Sequence, residues 1–377
     1  MSINAQERQA LAEAVRGAAS AGPREFLHDH GKPAHDDRLW SVLTEQMGLA
    51  ALLIGEDEGG AGADVVEVAV VLEELARVLS PVPALSSLGM ATGLLRVVGG
   101  PGASDLLSKM AAGELTATVA WPDPASFGVA PVVVANGSTE SGASTVLSGH
   151  ADFVLDGSAA DIVLVPARQG DDIVVVSVDA RERTVTRTAM VGLDLTRGLA
   201  SFDFADTPGT VVGNGDKLQA ALDIALVLVA AEQVGIAQQC HDCAVKWAKE
   251  RVQFDRPIGQ FQAIKHQLVD LLMSLELARS ALDVAVAAAD DYLRGPDAGT
   301  ARALAVAASA AKARCGDAAV LVSDESLHIM GGVGFTWEHD AHLYFRRART
   351  LDVLFGVPAT HRTRFSTQLL QEVASVR

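Results

Sequence analysis

Cys240, His241, Asp242 and Cys243 form a C-x-x-C run, a spacing that holds a metal or cycles as a dithiol when a second ligand pair or a redox fold accompanies it. No second pair lies nearby and Cys315 stands alone, so helix packing is the simpler use of these cysteines and no metal site is expected. Two further groups follow: Arg251, Phe254 and Gln262 in one stretch, and His328, Ile329, Met330, Gly331 and Gly332 in another. On their own they read as an arginine on a solvated helix face and a Gly-Gly pair that ends a helix.

The elements that would carry these groups follow from periodicity. Between Leu39 and Leu79 apolar residues recur at helical spacing, interrupted by the glycines of Gly55-Glu56-Asp57-Glu58-Gly59-Gly60-Ala61-Gly62, which demand a loop. Ser80-Pro81-Val82-Pro83 ends a helix. Short β-branched runs then take over, such as Ile162-Val163-Leu164-Val165 and Asp172-Ile173-Val174-Val175-Val176-Ser177, separated by Gly, Asp and Ser. Long Ala/Leu-rich periodic stretches return from Lys217, with breaks near Gly295-Pro296 and Gly331-Gly332, as in an antiparallel bundle. The expected organisation is an N-terminal helical domain (1–115), a middle β domain (116–212) and a C-terminal helical domain (213–377).

With 47 acidic and 30 basic residues the formal charge is -17, which opposes docking on nucleic acid or anionic lipid. Met1 to Arg24 mixes acids and bases and reads as a helix, not as a signal peptide. No apolar run approaches the ~20 residues of a membrane span. Together with cysteines that suit a reducing compartment, these features lead to the expectation of a soluble cytoplasmic protein without membrane insertion.

Arg251-Val-Gln-Phe254-Asp-Arg256-Pro-Ile258-Gly259-Gln-Phe-Gln262, followed by Ile329-Met330-Gly331-Gly332-Val333-Gly334-Phe335, resembles the acyl-CoA dehydrogenases. Leu39-Trp40, Leu49-Ala50-Ala51-Leu52-Leu53-Ile54 and Gly59-Gly60-Ala61-Gly62 resemble that family too, so the likeness runs through nearly the whole chain. It implies an α+β fold: an N-terminal helical domain, a β-barrel-like middle domain and a C-terminal four-helix bundle, with FAD held between two subunits. The chemistry it implies removes a proton from Cα of an acyl-CoA thioester while a hydride leaves Cβ for the flavin, which needs a carboxylate base. By motif position Arg251, Phe254, Gln262, His328, Ile329, Met330, Gly331 and Gly332 would complete the pyrophosphate and adenosine end of a neighbour's FAD. His328 replaces the glutamine common before this Gly-Gly.

The pattern breaks at the base. The family's glutamate directly before a glycine corresponds to Phe355 before Gly356, and phenylalanine cannot accept a proton. The alternative glutamate position on the first long C-terminal helix is Ala225, and the arginine that often follows it is Leu226. Thr-Ser-Gln contacts to FAD beyond the glycine are replaced by Val357-Pro358-Ala359, and a Glu-Pro-Gly-Ala-Gly-Ser flavin loop by Trp121-Pro122-Asp123-Pro124-Ala125-Ser126. Phe153 keeps an aromatic, but Leu155 stands where a Ser or Thr would bond near the flavin N5.

The retained half would face a neighbour's flavin and the eroded half the chain's own. That asymmetry, with Gly192-Leu193-Asp194-Leu195-Thr196-Arg197, resembles the base-lacking subunit of the heteromeric acyl-CoA dehydrogenases of bacterial steroid side-chain catabolism. The expected partner is a homologous glutamate-bearing subunit, and the substrate an acyl-CoA. Two other readings stand beside it: a self-sufficient homotetramer with a relocated base, Asp352 or Asp223, and a non-catalytic scaffold. Asp352 precedes Phe355 by three residues, which on a helix gives a similar face; its alternative use is a surface ion pair. Asp223 suits a ligand-positioning or structural role.

Overall fold

The computed structural model describes residues 4–20 and 35–375. Of the helix expected over Met1 to Arg24, the described part is α1 (Ala5–Ser20); the remainder lies outside the described residues. A short α2 (Asp37–Ser41) is capped by the Asp36 carboxylate, which accepts from the Leu39 N–H at 2.9 Å. The glycine loop that follows is required by contact: a Cβ on Gly60 would lie 2.1 Å from the Ile54 carbonyl oxygen. Helix α3 (Val65–Arg77) gives way at the two prolines to a π-helical segment (Ala84–Ala91), then α4 (Thr92–Val98) and α5 (Pro101–Ala111), which has its proline in the first turn, where the ring costs no hydrogen bond.

Seven strands follow: β1 (Ala117–Val119), β2 (Val134–Gly137), β3 (Ser144–Leu155), β4 (Ile162–Gln169), β5 (Asp172–Asp179), β6 (Val185–Met190) and β7 (Leu199–Asn214). They order as β1-β4-β2-β3-β7-β5, and β5 pairs again with β4, so β4-β2-β3-β7-β5 closes on itself around a core of its own that includes Leu147, Val163, Val165, Val176 and Phe202. Closure removes the edges that these five strands would otherwise present, while β1 pairs with β4 and β6 with β7 outside the closed path.

Helices α6 (Leu218–Glu250), α7 (Gln262–Arg294), α8 (Ala298–Met330) and α10 (Pro358–Ser375) form the C-terminal bundle, with a two-residue hairpin β8 (Val252–Gln253) and β9 (Arg256–Pro257) between the first two. A last helix, α9 (Ala341–Val353), packs on α6 and α8. Contrary to the sequence reading, one helix among the described residues, α6, is long and apolar enough to cross a membrane, and 94% of its apolar window is buried inside the protein. Its composition is that of a core helix touching α3, α7, α8 and α9 at once. Gly235 permits a close crossing with α3, since a Cβ there would lie 2.2 Å from the Glu73 carbonyl oxygen.

The C-x-x-C run sits in α6. Cys240 is buried, and burial pushes its thiol up. His241 Nε2 lies 3.1 Å from the Leu268 carbonyl oxygen, and Asp242 pairs with Arg77 at 2.8 Å. Among the described residues no His/Cys/Asp/Glu group could hold a metal.

Candidate functional site

Phe355 lies where α9 has ended and α10 has not begun. Its backbone is left-handed at φ +59°, an uncommon conformation for a bulky residue. The side chain is buried and meets Trp121 edge to face, with ring centroids 5.7 Å apart. Its N–H donates to the Pro124 carbonyl at 2.6 Å, and its carbonyl oxygen lies 2.8 Å from His361 Nε2.

Three buried side chains hold the rest of this loop by its carbonyls. Gln233 Nε2 donates to Leu351 at 3.2 Å, and Lys312 Nζ donates to Asp352 at 3.0 Å and to Gly356 at 3.2 Å. The third is His361. Burial lowers the Lys312 ammonium to about 8 and the His361 imidazole to about 4, so at neutral pH the clamp is a charged lysine with a neutral histidine. Sequence reasoning missed all three, because a lysine in an Ala-rich helix reads as solvated until the helix is docked.

The two alternative carboxylates are both engaged. Asp223, 1% exposed on α6, receives both Nη groups of Arg364 from α10, at 2.5 and 2.8 Å. Burial raises its carboxyl and the guanidinium opposes that shift. Asp352 does not share a helical face with Phe355, since α9 stops at Val353; its carboxylate lies 3.7 Å from Arg349, and burial raises its carboxyl with Lys312 and Arg349 opposing. Ala225 and Leu226 are buried in α6 and carry no titratable group.

Across from this loop, Phe153 (φ +56°) and Leu155 of β3 line an apolar pocket of about 200 Å³ with Pro124, Ala125, Leu199, Leu351 and Leu354. This is the ground that the sequence comparison assigns to the chain's own flavin ring, and it does not fit one. An isoalloxazine carries several ring nitrogens and two carbonyl oxygens, each costing ~1–3 kcal/mol when buried unpaired, and this lining is almost wholly apolar. The one ionic side chain in the wall, Arg197, donates through Nη2 to Glu232 of α6 at 2.5 Å, which leaves its buried Nη1 without a partner, one donor against the several polar atoms of the ring. Behind it Asp194 accepts from Arg347 at 3.0 Å and Asp156 from Ser86 at 2.7 Å, so buried ion pairs and hydrogen bonds tie the three parts of the chain together.

The other group of residues lies at the far end of the bundle and faces outward. Arg251 ends α6, over Trp247 at 5.8 Å, with no ion pair among the described residues. Phe254, 86% exposed at φ +51°, forms the tip of the hairpin with Asp255 at φ +60°. Gln262 is exposed at the start of α7, and His328 at the end of α8, its Nδ1 3.1 Å from the Asp324 carbonyl. Gly331 (φ +66°) and Gly332 then turn with open space where a Cβ would stand. Ile329 and Met330 differ from this set: both side chains are buried, because the helical rotation that turns His328 outward carries the next two residues into the core. Trp247 packs beside Leu327 and Met330, so the Arg251 and Gly331 segments share one end of the bundle. This face has a cation without an ion pair among the described residues, an exposed aromatic and an open turn, groups able to hold an anionic ligand with a flat ring.

Comparison with known proteins accords with this architecture. Family models described as acyl-CoA dehydrogenase N-terminal domain and acyl-CoA dehydrogenase C-terminal domain match residues 5–114 and 216–370. The chain is 32% identical to acyl-CoA dehydrogenase IpdE2 of Mycolicibacterium smegmatis, over 96% of this chain and 94% of that one. It superposes with a TM-score of 0.84 on a chain of the ChsE4-ChsE5 complex from Mycobacterium tuberculosis, at 26% identity, covering 98% of each. A variant of the Tcur3481-Tcur3483 steroid ACAD gives a TM-score of 0.85 at 26% identity, covering 98% of this chain and 99% of that one.

Proposed function

The chain belongs to the acyl-CoA dehydrogenase family, whose members are FAD-dependent oxidoreductases, and we propose that it acts as the base-lacking subunit of a heteromer. In that assembly a homologous glutamate-bearing subunit supplies the base and the flavin-ring pocket. This chain supplies Arg251, Phe254, Gln262, His328 and the Gly331-Gly332 turn to the pyrophosphate and adenosine end of the same FAD.

One observation carries the reading: the position of the base is a buried phenylalanine with no free carboxylate beside it among the described residues, while Arg251, Phe254, Gln262 and His328 at the opposite end are exposed. FAD, when bound, accepts the hydride leaving Cβ. This chain's part is binding: Arg251 neutralises phosphate charge, Phe254 covers a ring, and the glycine turn lets backbone N–H groups approach. Ile329 and Met330 would contribute only through their backbone. The engaged state of Asp223 and Asp352 speaks against a self-sufficient enzyme with a relocated base. The exposed, unneutralised Arg251 speaks against a pure scaffold.

A bulky, steroid-derived acyl group is the proposed substrate class, supported by the steroid ACAD among the structural relatives. The test is purification alone and after co-expression with a glutamate-bearing homologue. Flavin absorbance and acyl-CoA-dependent bleaching are expected only in the co-expressed preparation. A chain that alone carries stoichiometric FAD and reduces it with an acyl-CoA refutes the proposal.

A further inference from the structure

We infer that this chain's own inter-domain cleft is closed by a built-in aromatic plug, Trp121, Phe127 and Phe355, so that neither flavin ring nor thioester enters it even inside the heteromer. The inference rests on the proposed heteromeric role and deepens it: the chain lacks the opening for a reaction site as well as the base.

The argument is one of distance. In a working site a thioester lies between the base and the flavin, and the flavin lies against the β domain. Three contacts at ~3–3.5 Å each require roughly 10 Å between the base position and the β-domain wall. Here that gap has collapsed at Phe355, which leaves beside it the apolar pocket of about 200 Å³ lined by Phe153 and Leu155. The Phe355 N–H donates to Pro124 at 2.6 Å and its ring touches Trp121 at a centroid distance of 5.7 Å. Phe127, left-handed at φ +67°, fills the adjoining space, with the His361 ring at 5.1 Å and the Arg364 guanidinium at 4.5 Å. Its Cβ is 3.5 Å from where a Cβ on Gly356 would stand.

The plug is held from both domains. On the helical side Gln233, Lys312 and His361 occupy the carbonyls of Leu351, Asp352, Phe355 and Gly356. On the β side Trp121 and Pro124 are fixed next to β1, whose neighbour Ala120 donates to Leu164 at 2.9 Å. A left-handed phenylalanine costs of order 1 kcal/mol or more, and two of them, Phe127 and Phe355, meet here. Burial of the Phe355 and Trp121 rings, ~1.5–3 kcal/mol each, offsets that strain and the cost of a Trp121 Nε1 that is buried without a hydrogen-bond partner.

Amide hydrogen exchange on the co-purified heteromer tests the closure directly. The Phe355 N–H is expected to exchange at least ~100-fold more slowly than an unstructured amide, at the same rate in FAD-loaded and FAD-stripped complex. Fast exchange, or a change in rate when FAD is removed, overturns the plug. A second arm restores the base: the heteromer carrying Phe355→Glu is expected to hold the same FAD per complex as wild type, with turnover not increased. One additional FAD per heterodimer with new turnover overturns the inference. These failures are separable from failure of the heteromeric reading, which is shown instead by flavin reduction in the chain alone.

Discussion

Asp223 is the carboxylate whose role the structure most sharply constrains, and removing its partner exposes that role. Arg364→Met keeps an apolar stem against Phe127 but leaves a carboxylate that is 1% exposed without its two charge-assisted hydrogen bonds. Breaking a buried pair from one side costs ~3–5 kcal/mol, whereas replacing both partners with apolar groups is often neutral. At about 2.1 cal/mol/K per residue, an unfolding entropy for 377 residues is roughly 0.8 kcal/mol/K. The single substitution should therefore lower the thermal midpoint by ~4–6 °C. Asp223→Leu combined with Arg364→Met should recover most of that loss. Scanning calorimetry of the wild type, both single variants and the double variant forms the cycle. If Arg364→Met and the double variant melt alike, the pair is not the buried, mutually dependent unit described here. The same double variant, co-purified with its partner, should retain turnover; a fall above ~10-fold with flavin content intact would make Asp223 a chemical group.

Other consequences are as direct. His361 titrates near 4 in the fold and near ~6.5 unfolded, so between those values the unfolded chain binds the extra proton. Stability from the neutral ring is therefore complete above ~6.5 and is lost as pH falls toward 4, by up to ~3 kcal/mol; His361→Asn should flatten that part of a urea-midpoint-versus-pH curve. Arg251→Gln should weaken FAD retention by the heteromer ~10–100-fold, the worth of a charge-assisted contact, read by equilibrium dialysis, with the fold unchanged by circular dichroism. Gly235→Ala should force α3 and α6 apart and destabilise by ~1–3 kcal/mol in urea melts, since its Cβ meets backbone at 2.2 Å.

The order of helices, strands and helices was legible because periodicity and turn residues are local properties. The apolar runs Ile162–Val165 and Ile173–Val176 lie in β4 and β5, and α8 stops at Gly331 as its left-handed backbone demands. The missing base was legible for a simpler reason: Phe355 and Ala225 have no titratable group in any environment. Outward or inward facing was harder. Ile329 and Met330 belong to the same motif as His328, and only the docking of α8 against α6 decides which of them reaches solvent.

By itself the sequence determined the fold class, the family resemblance and the chemical incapacity at position 355, since each depends on residue type and near-neighbour spacing. Tertiary structure alone decided what fills the place of the base. Asp223 meets Arg364 across 141 positions of chain, Lys312 reaches Asp352 and Gly356 across 40 and 44, and Phe355 touches Trp121 from another domain. Whether a carboxylate is free, a lysine buried or a cleft closed depends on which distant groups share its volume, and those pairings are created only by packing.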